Sequence, residues 1–335
     1  MKTSCKEILQ VWKNAIAFFP SSTTRSGYAL RMEDRMEYIV KTQNLTKQFG
    51  NNKAVNDVTL HIKRGEIYGF IGRNGAGKTT FMKMISGLST PTSGSIDLFG
   101  KSGKNAAIHY SRIGNLIEQP GLYEGMTAKT NIHLKCLALG IHQPGYEKEL
   151  LDIVGLKDVG KKKIKQFSLG MKQRLGIAMA LAGKPDLLIL DEPVNGLDPQ
   201  GFAEIRALLL RLKTEKNMTI LISSHILEEL YKIADTFGII HKGSLIQELT
   251  KDELDAKCNV YTQIRTQDVS LACPIIERMG YPDYQVTDQD TICIHGLTKG
   301  AGELNIELAK AGCRIDSIQA VQNKLEDYFL ALTKE

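Results

Sequence analysis

What the chain lacks narrows it first. No apolar run approaches the roughly 18 residues of a membrane-spanning helix, so if a membrane enters the function the span belongs to another chain. The six cysteines, Cys5, Cys136, Cys258, Cys273, Cys293 and Cys313, are scattered and make no C-x-x-C. They read as reduced cytosolic thiols, mostly core filler, and no disulfide framework is expected. Charge of one sign is not concentrated either. Lys+Arg 43 against Asp+Glu 37 leaves +6, which reads as a solvated surface and not as a nucleic-acid footprint, although the weak basic bias suits work near an anionic membrane face. A secretory leader is not expected, because Lys13 and Asn14 interrupt the first apolar stretch and no clear small-residue cleavage pattern follows. What remains is ordinary globular material. With 335 residues, 42% hydrophobic and 24% charged, there is enough chain for two domains and a sizeable core.

The most informative stretch is Gly72-Arg73-Asn74-Gly75-Ala76-Gly77-Lys78-Thr79, followed by Thr80. It matches G-x-x-x-x-G-K-[ST] throughout. The apolar run Ile67–Ile71 before it reads as a buried strand, and Thr80–Ser86 after it carries apolar residues at helical spacing. Strand, glycine loop and helix in that order set backbone N–H groups around an anion at a helix N-terminus. Lys78 is placed to reach the β and γ phosphates of a nucleotide, and the Thr79 hydroxyl to bind Mg²⁺. No second such loop occurs, so the remainder is not a repeat of this domain.

Along the chain, residues 1–35 stand apart. Ile8, Leu9, Trp12, Ala15, Ile16 and Phe19 could line one face of a short helix that Pro20 ends. The expectation is an N-terminal extension outside the folded core, with structure beginning near Met36, which could be a native start codon; an amphipathic surface anchor is the rival. Strands alternate with helices from Tyr38 to Ile240, including the four-residue apolar run Leu187–Leu190, as in a parallel sheet covered on both faces. Residues near Gly114 to Gly160 take helical spacing, and a helical subdomain is expected at about 116–170. After Gly243 the texture changes to β-α-β-β-α-β and a final helix, which suggests a small ferredoxin-like unit of residues 246–335 with no catalytic cluster.

Leu187-Leu188-Ile189-Leu190-Asp191-Glu192-Pro193 puts two carboxylates just past a buried strand. The first can hold Mg²⁺ through water; the second can orient or deprotonate an attacking water. Asn195-Gly196-Leu197-Asp198 follows as a turn with another acid. Phe167-Ser168-Leu169-Gly170-Met171-Lys172-Gln173 precedes a helix. Ser168 suits an N-cap, and a helix N-terminus with a hydroxyl and a glycine also suits a γ-phosphate presented by a second subunit. Thr219–Ser224 ends in His225, at a strand end in line with that of Asp191.

With these residues in place, the stretch from about Met36 to Gly243 resembles the ATP-binding subunit of an ABC transporter. GRNGAGKT resembles the Walker A motif and LLILDEP the Walker B motif, with Glu192 in the place of the catalytic base. FSLGMKQ stands where the family has its LSGGQ signature, Asp198 matches the D-loop and His225 the switch histidine. Phe49 lies where an aromatic residue stacks on adenine, and Glu118 takes the Q-loop glutamine's position beside the metal, with Gln119 the alternative one residue on. Two signature positions depart from the pattern, Leu169 for glycine and Met171 for glutamine, while Ser168 and Gly170 remain. The resemblance implies a P-loop NTPase core of residues 36–245 with a helical subdomain, ATP and Mg²⁺ as ligands, a head-to-tail homodimer, an integral membrane permease as partner and a place on the cytoplasmic face of the membrane, with no nucleic acid. LIEQPGLYEGMTA and the C-terminal KLEDYFLALT further resemble the subgroup that exports bacitracin and lantibiotics for self-protection. A soluble ABC ATPase of repair or translation is the alternative, although those carry two such domains or a long coiled coil; a regulatory module without turnover is a third, against which Glu192 and His225 speak.

Overall fold

A computed structural model describes residues 37–257, 260–295, 297, 300–322 and 325–333. Residues 1–36, on which the expected extension falls, and Cys258 lie outside the described residues. The chain divides into two compact units between Leu249 and Thr250.

The first unit holds two sheets. Strands β1 (Tyr38–Phe49) and β2 (Asn52–Lys63) form a long antiparallel hairpin. Together with β4 (Ser93–Leu98) and β5 (Lys101–Ser102) they make a sheet in the order β2-β1-β4-β5. The second sheet contains β3 (Ile67–Ile71), β6 (Ile113–Leu116), β7 (Leu187–Asp191), β8 (Thr219–Ser224), β9 (Thr236–His241) and β10 (Ser244–Thr250), in the order β10-β9-β3-β8-β7-β6. From β9 to β6 every pairing is parallel. All residues of β3, β7 and β8 are buried, which is why these strands read as unbroken apolar runs: both faces are covered.

Helix α1 (Lys78–Ile85) follows β3 and buries Phe81, Met82, Met84 and Ile85. Phe81 packs its ring on Phe70 of β3, centroids 4.9 Å apart. Burial of side chains of this size stabilises by about 1.5–3 kcal/mol each, and the same cluster contains Leu187, Ile189, Leu221 and Ile240 from the neighbouring strands. Helix α1 and strands β7, β8 and β9 are thereby held against one core. Three helices, α2 (Ala128–Ala138), α3 (Tyr146–Ile153) and α4 (Leu169–Leu181), lie between β6 and β7 in the chain. Tyr146 joins them, donating from its hydroxyl to Ala182 O at 3.0 Å. Helix α5 (Pro199–Lys216) and the short α6 (Leu227–Tyr231) complete the unit.

Two features differ from the pattern read in the sequence. The residues from Gly114 onward begin as strand β6 and not with helical spacing; Ile-Gly-Asn-Leu is too short, and half polar or glycine, to show a period. The change of texture after Gly243 is not the end of the first unit, because β10 adds to the edge of the six-stranded sheet beside β9.

The second unit runs α7 (Lys251–Lys257), β11 (Val260–Thr266), α8 (Val269–Arg278), β12 (Tyr284–Asp288), β13 (Thr291–His295), α9 (Ala301–Lys310), β14 (Ile315–Gln322) and α10 (Leu325–Leu332). Its sheet has the order β12-β13-β11-β14 with every pair antiparallel, the split β-α-β arrangement of ferredoxin-like units. Ile264, Ile276, Ile292, Ile294, Leu304 and Leu308 form its core. No helix among the described residues is long and apolar enough to cross a membrane.

Candidate functional site

The loop from Gly72 to Gly77 turns the chain from β3 into α1. Gly77 caps the helix at φ 107, in the region that favours glycine, and a Cβ there would lie 2.3 Å from the Ala54 carbonyl oxygen. At Gly72 a Cβ would come within 2.6 Å of Ile240 O. The loop is thus pressed against the backbone of β2 and β9, and no larger residue fits at either position. Asn74 and Gly75 are exposed at its tip, Ala76 is buried beneath it and Thr80 is half-buried on the first turn.

Lys78 is only 6% exposed. A buried ammonium must be compensated, and its Nζ donates to Gly72 O at 2.6 Å and Arg73 O at 3.3 Å. It also lies 3.1 Å from Glu192 Oε1. Thr79 Oγ1 donates to Asp191 Oδ2 at 2.6 Å. Asp191 ends β7 and pairs in register with Ser223 of β8. Ser223, fully buried, donates from Oγ to Asp191 Oδ1 at 2.6 Å and accepts from the Glu192 N–H at 2.9 Å. Glu192 turns the chain at φ 48, and its Oε2 lies 2.7 Å from Nδ1 of His225, the residue after β8. Glu192 Oε1 is buried without a hydrogen-bond partner, its approach to Lys78 being an ion pair off hydrogen-bonding geometry.

These contacts form one connected chain, Thr79–Asp191–Ser223–Glu192–His225, closed back to the loop by Lys78. The structure therefore brings together the loop, both carboxylates and the histidine. Ser223 was missed in the sequence; its signal is register, a hydroxyl placed opposite Asp191 on the neighbouring strand, which the sequence does not display.

Glu118 stands apart from this chain of contacts. It follows β6, turns at φ 65 and sets its carboxylate 2.5 Å from Lys83 Nζ on α1. Phe49 ends β1 with 57% of its surface exposed, Lys47 Nζ lying 5.0 Å from its ring centroid. The remaining candidates form a second cluster. Ser168 caps α4, its Oγ accepting from Met171 N at 3.3 Å, and Asp198 caps α5 by accepting from Gly201 N at 2.9 Å. A Cβ on Gly170 would sit 3.6 Å from Leu197 Cδ2, and one on Gly196 3.2 Å from Leu169 Cδ2, so the two capped turns lie against each other. Among the described residues no hydrogen bond joins Ser168 or Asp198 to the Lys78 network.

A glycine loop fit to cradle a phosphate at a helix N-terminus, beside a carboxylate pair at the end of another parallel strand of the same sheet, defines a P-loop nucleotide hydrolase. The family model for ABC transporters matches residues 55–195. The chain is 45% identical over 303 residues to the bacitracin transport ATP-binding protein BcrA of Enterococcus faecalis, covering 89% of this chain and 97% of that one. It is 45% identical over 214 residues to the lantibiotic transport ATP-binding protein SrtF of Streptococcus pyogenes, covering 64% of this chain and 92% of that one. Among solved structures, the dimeric ATP-binding cassette MJ0796 in a post-hydrolysis state with ADP and Pi superposes with a TM-score of 0.57 at 27% identity, over 63% of this chain and 98% of that one. This chain belongs to the ATP-binding proteins of ABC transporters, and is an ATPase.

Proposed function

We propose that the chain powers export of a peptide antibiotic or similar amphiphile through an integral membrane permease, working as a head-to-tail homodimer on the cytoplasmic face of the membrane. The observation that carries the catalytic part is the single network linking Lys78, Glu192 and His225. Lys78 is held by carbonyl oxygens and Glu192 where the terminal phosphates of ATP are expected, so nucleotide would take over its charge. Glu192 Oε1 faces Lys78 Nζ at 3.1 Å, and it is the carboxylate oxygen left to accept a proton from an attacking water. His225 fixes the other oxygen and so the aim of the carboxylate. Thr79 and Asp191 offer hard oxygen donors that fit Mg²⁺, with Glu118 as a further acceptor; when bound, the ion neutralises charge on the β and γ phosphates.

Support for the dimer lies in the separation of the two clusters. Ser168, Gly170 and Asp198 make no hydrogen-bonded link to the Lys78 network of their own chain, as expected if they serve the γ-phosphate on a partner chain. Phe49, exposed at a strand end, offers a ring for adenine. The export reading rests on similarity to the bacitracin and lantibiotic transport proteins, in the first case over nearly the whole chain. In this reading the ATP-binding domain begins near residue 36 and runs to the end of the first unit at Leu249, with a helical subdomain near 116–170, and the C-terminal unit serves docking or regulation. The test is purification of the tagged chain from native membranes with ATPase assays of the captured material. Co-purification of a multi-span permease, and turnover that rises with its peptide substrate, is the expected result; a freely soluble ATPase with no membrane partner would refute the transport reading.

A further inference from the structure

Strands β6 and β7 are parallel neighbours in register, Leu116 opposite Leu190. Two residues beyond each stands a glutamate, Glu118 and Glu192, and both adopt a left-handed backbone, φ 65 and φ 48. A non-glycine residue in that region is uncommon, and such strain gathers at functional and switch positions. Each glutamate meets a lysine of the same helix α1: Glu192 lies 3.1 Å from Lys78, and Glu118 lies 2.5 Å from Lys83. The ends of two adjacent strands are thus tied to one helix by two ion pairs.

The positions on the helix matter. Lys83 follows Thr79 by one helical turn, so the two side chains share a face about 5–6 Å apart at Cβ. Thr79 is the hydroxyl already bonded to Asp191. A carboxylate resting on Lys83 is therefore one helical turn from the oxygens that fit Mg²⁺. Lys83 is 36% and Glu118 64% exposed, which leaves both side chains free to move and keeps the pair weak. A glutamine at 118 could not make this pair, because it carries no charge for the ammonium to meet.

We infer that Lys83 is a positioning residue for Glu118. It holds the carboxylate, and with it the segment that follows β6, against α1 while the nucleotide site is empty, and it yields the carboxylate when Mg²⁺ and nucleotide arrive. This rests on the reading that places Glu118 beside the metal. Lys83 competes with the metal for one carboxylate, so its removal makes Mg²⁺-dependent nucleotide binding easier and loosens the empty state.

The experiment uses the full chain and four variants, Lys83→Met, Lys83→Arg, Glu118→Gln and the double Lys83→Met/Glu118→Gln. Fluorescent ATP analogue affinity is titrated with and without Mg²⁺, and amide exchange is followed over residues 113–124 without nucleotide. Lys83→Met should increase the Mg²⁺-linked gain in affinity by about two- to fivefold, the range an exposed ion pair allows. It should also speed exchange in that segment, with Lys83→Arg restoring both to the parent values. In the Glu118→Gln background Lys83→Met should change neither. The proposal is overturned if Lys83→Met alters affinity or exchange equally in both backgrounds, or if it leaves exchange unchanged. If exchange responds as expected but Glu118→Gln leaves the Mg²⁺ linkage intact, it is the placement of Glu118 at the metal that fails, and with it the release step, while the tether to Lys83 stands.

Discussion

Replacing Ser223 by alanine should do more damage than any other single-atom deletion near the site. The hydroxyl makes two hydrogen bonds at once, to Asp191 Oδ1 at 2.6 Å and from the Glu192 N–H at 2.9 Å, in a position with no solvent exposure. A hydrogen bond to a charged acceptor contributes about 1.5–3 kcal/mol and a neutral one about 0.5–1.5. Deleting a fully buried hydroxyl leaves both of its partners unsatisfied, so the expected loss is about 2–4 kcal/mol. For a unit of this size that is about 5–15 °C in the melting transition. The neighbour Ser224 is an internal control. Its Oγ only accepts from Ile226 N at 2.9 Å, so Ser224→Ala should cost about 1 kcal/mol. Calorimetry of the two variants, alongside ATPase turnover, separates the cases. Ser223→Ala should also lower turnover, since both carboxylates lose their shared anchor, while Ser224→Ala should stay close to the parent. Equal melting shifts and equal turnover in the two variants would refute the view that Ser223 holds the carboxylate pair in place.

Further outcomes follow from the same geometry. Glu192→Gln should retain ATP binding and lose about 10²–10⁴-fold in turnover, measured by phosphate release; parent-like hydrolysis would remove Glu192 as base. Lys78→Ala should weaken nucleotide binding and abolish turnover, because it deletes the buried ammonium of the loop, and ATP titration checks it. Gly77→Ala should prevent nucleotide binding altogether, since its Cβ would fall 2.3 Å from Ala54 O, a backbone clash no rotamer relieves; retained binding would show that the loop can shift. Glu66 is buried, and burial raises its carboxyl above the ordinary range. The folded state therefore holds that proton to higher pH than the unfolded chain, and stability falls as pH rises from the unfolded value through the folded one. Glu66→Gln should flatten that fall, as read by urea unfolding across the acidic range.

Much of this architecture is legible in the sequence because its strands are covered on both faces. Ile67–Ile71, Leu187–Leu190 and Thr219–Ser223 read as strands for the same reason that they are buried, and the glycine loop can be placed because strand and helix flank it. Strands β6 and β10 are harder to see. The first is four residues with Gly114 and Asn115 inside it, and the second alternates exposed and half-buried residues at the sheet's edge. Edge strands lack the uniform burial that makes the central ones conspicuous. In the C-terminal unit the antiparallel strands and their helices follow the sequence pattern closely, since one face of that sheet is packed and the other is not.

The site is legible in a different way, as identities without neighbours. Lys78, Asp191, Glu192 and His225 can be picked from spacing, but their order of contact depends on strand register, and register is set by pairings between segments far apart in the chain. Asp191 meets Ser223 because β7 and β8 are parallel with Leu190 opposite Ile222; a shift of one residue would turn Ser223 to the other face of the sheet. The same register argument governs Glu118. Sequence spacing alone leaves Glu118 and Gln119 as alternatives, whereas the pairing of Leu116 with Leu190 sets Glu118 level with Glu192. The parallel extends to backbone conformation and to a lysine partner on the same helix. Gln119, one residue further, shares none of these correspondences. If position 118 owes its place to register, then moving the glutamate one residue on, by exchanging Glu118 and Gln119, should lose the Lys83 pairing while keeping composition and charge unchanged. Measured as the Mg²⁺ linkage of nucleotide binding, the exchanged chain should behave like Glu118→Gln. Parent-like linkage in the exchanged chain would mean that the segment tolerates either register, and that the alignment of the two glutamates carries no function.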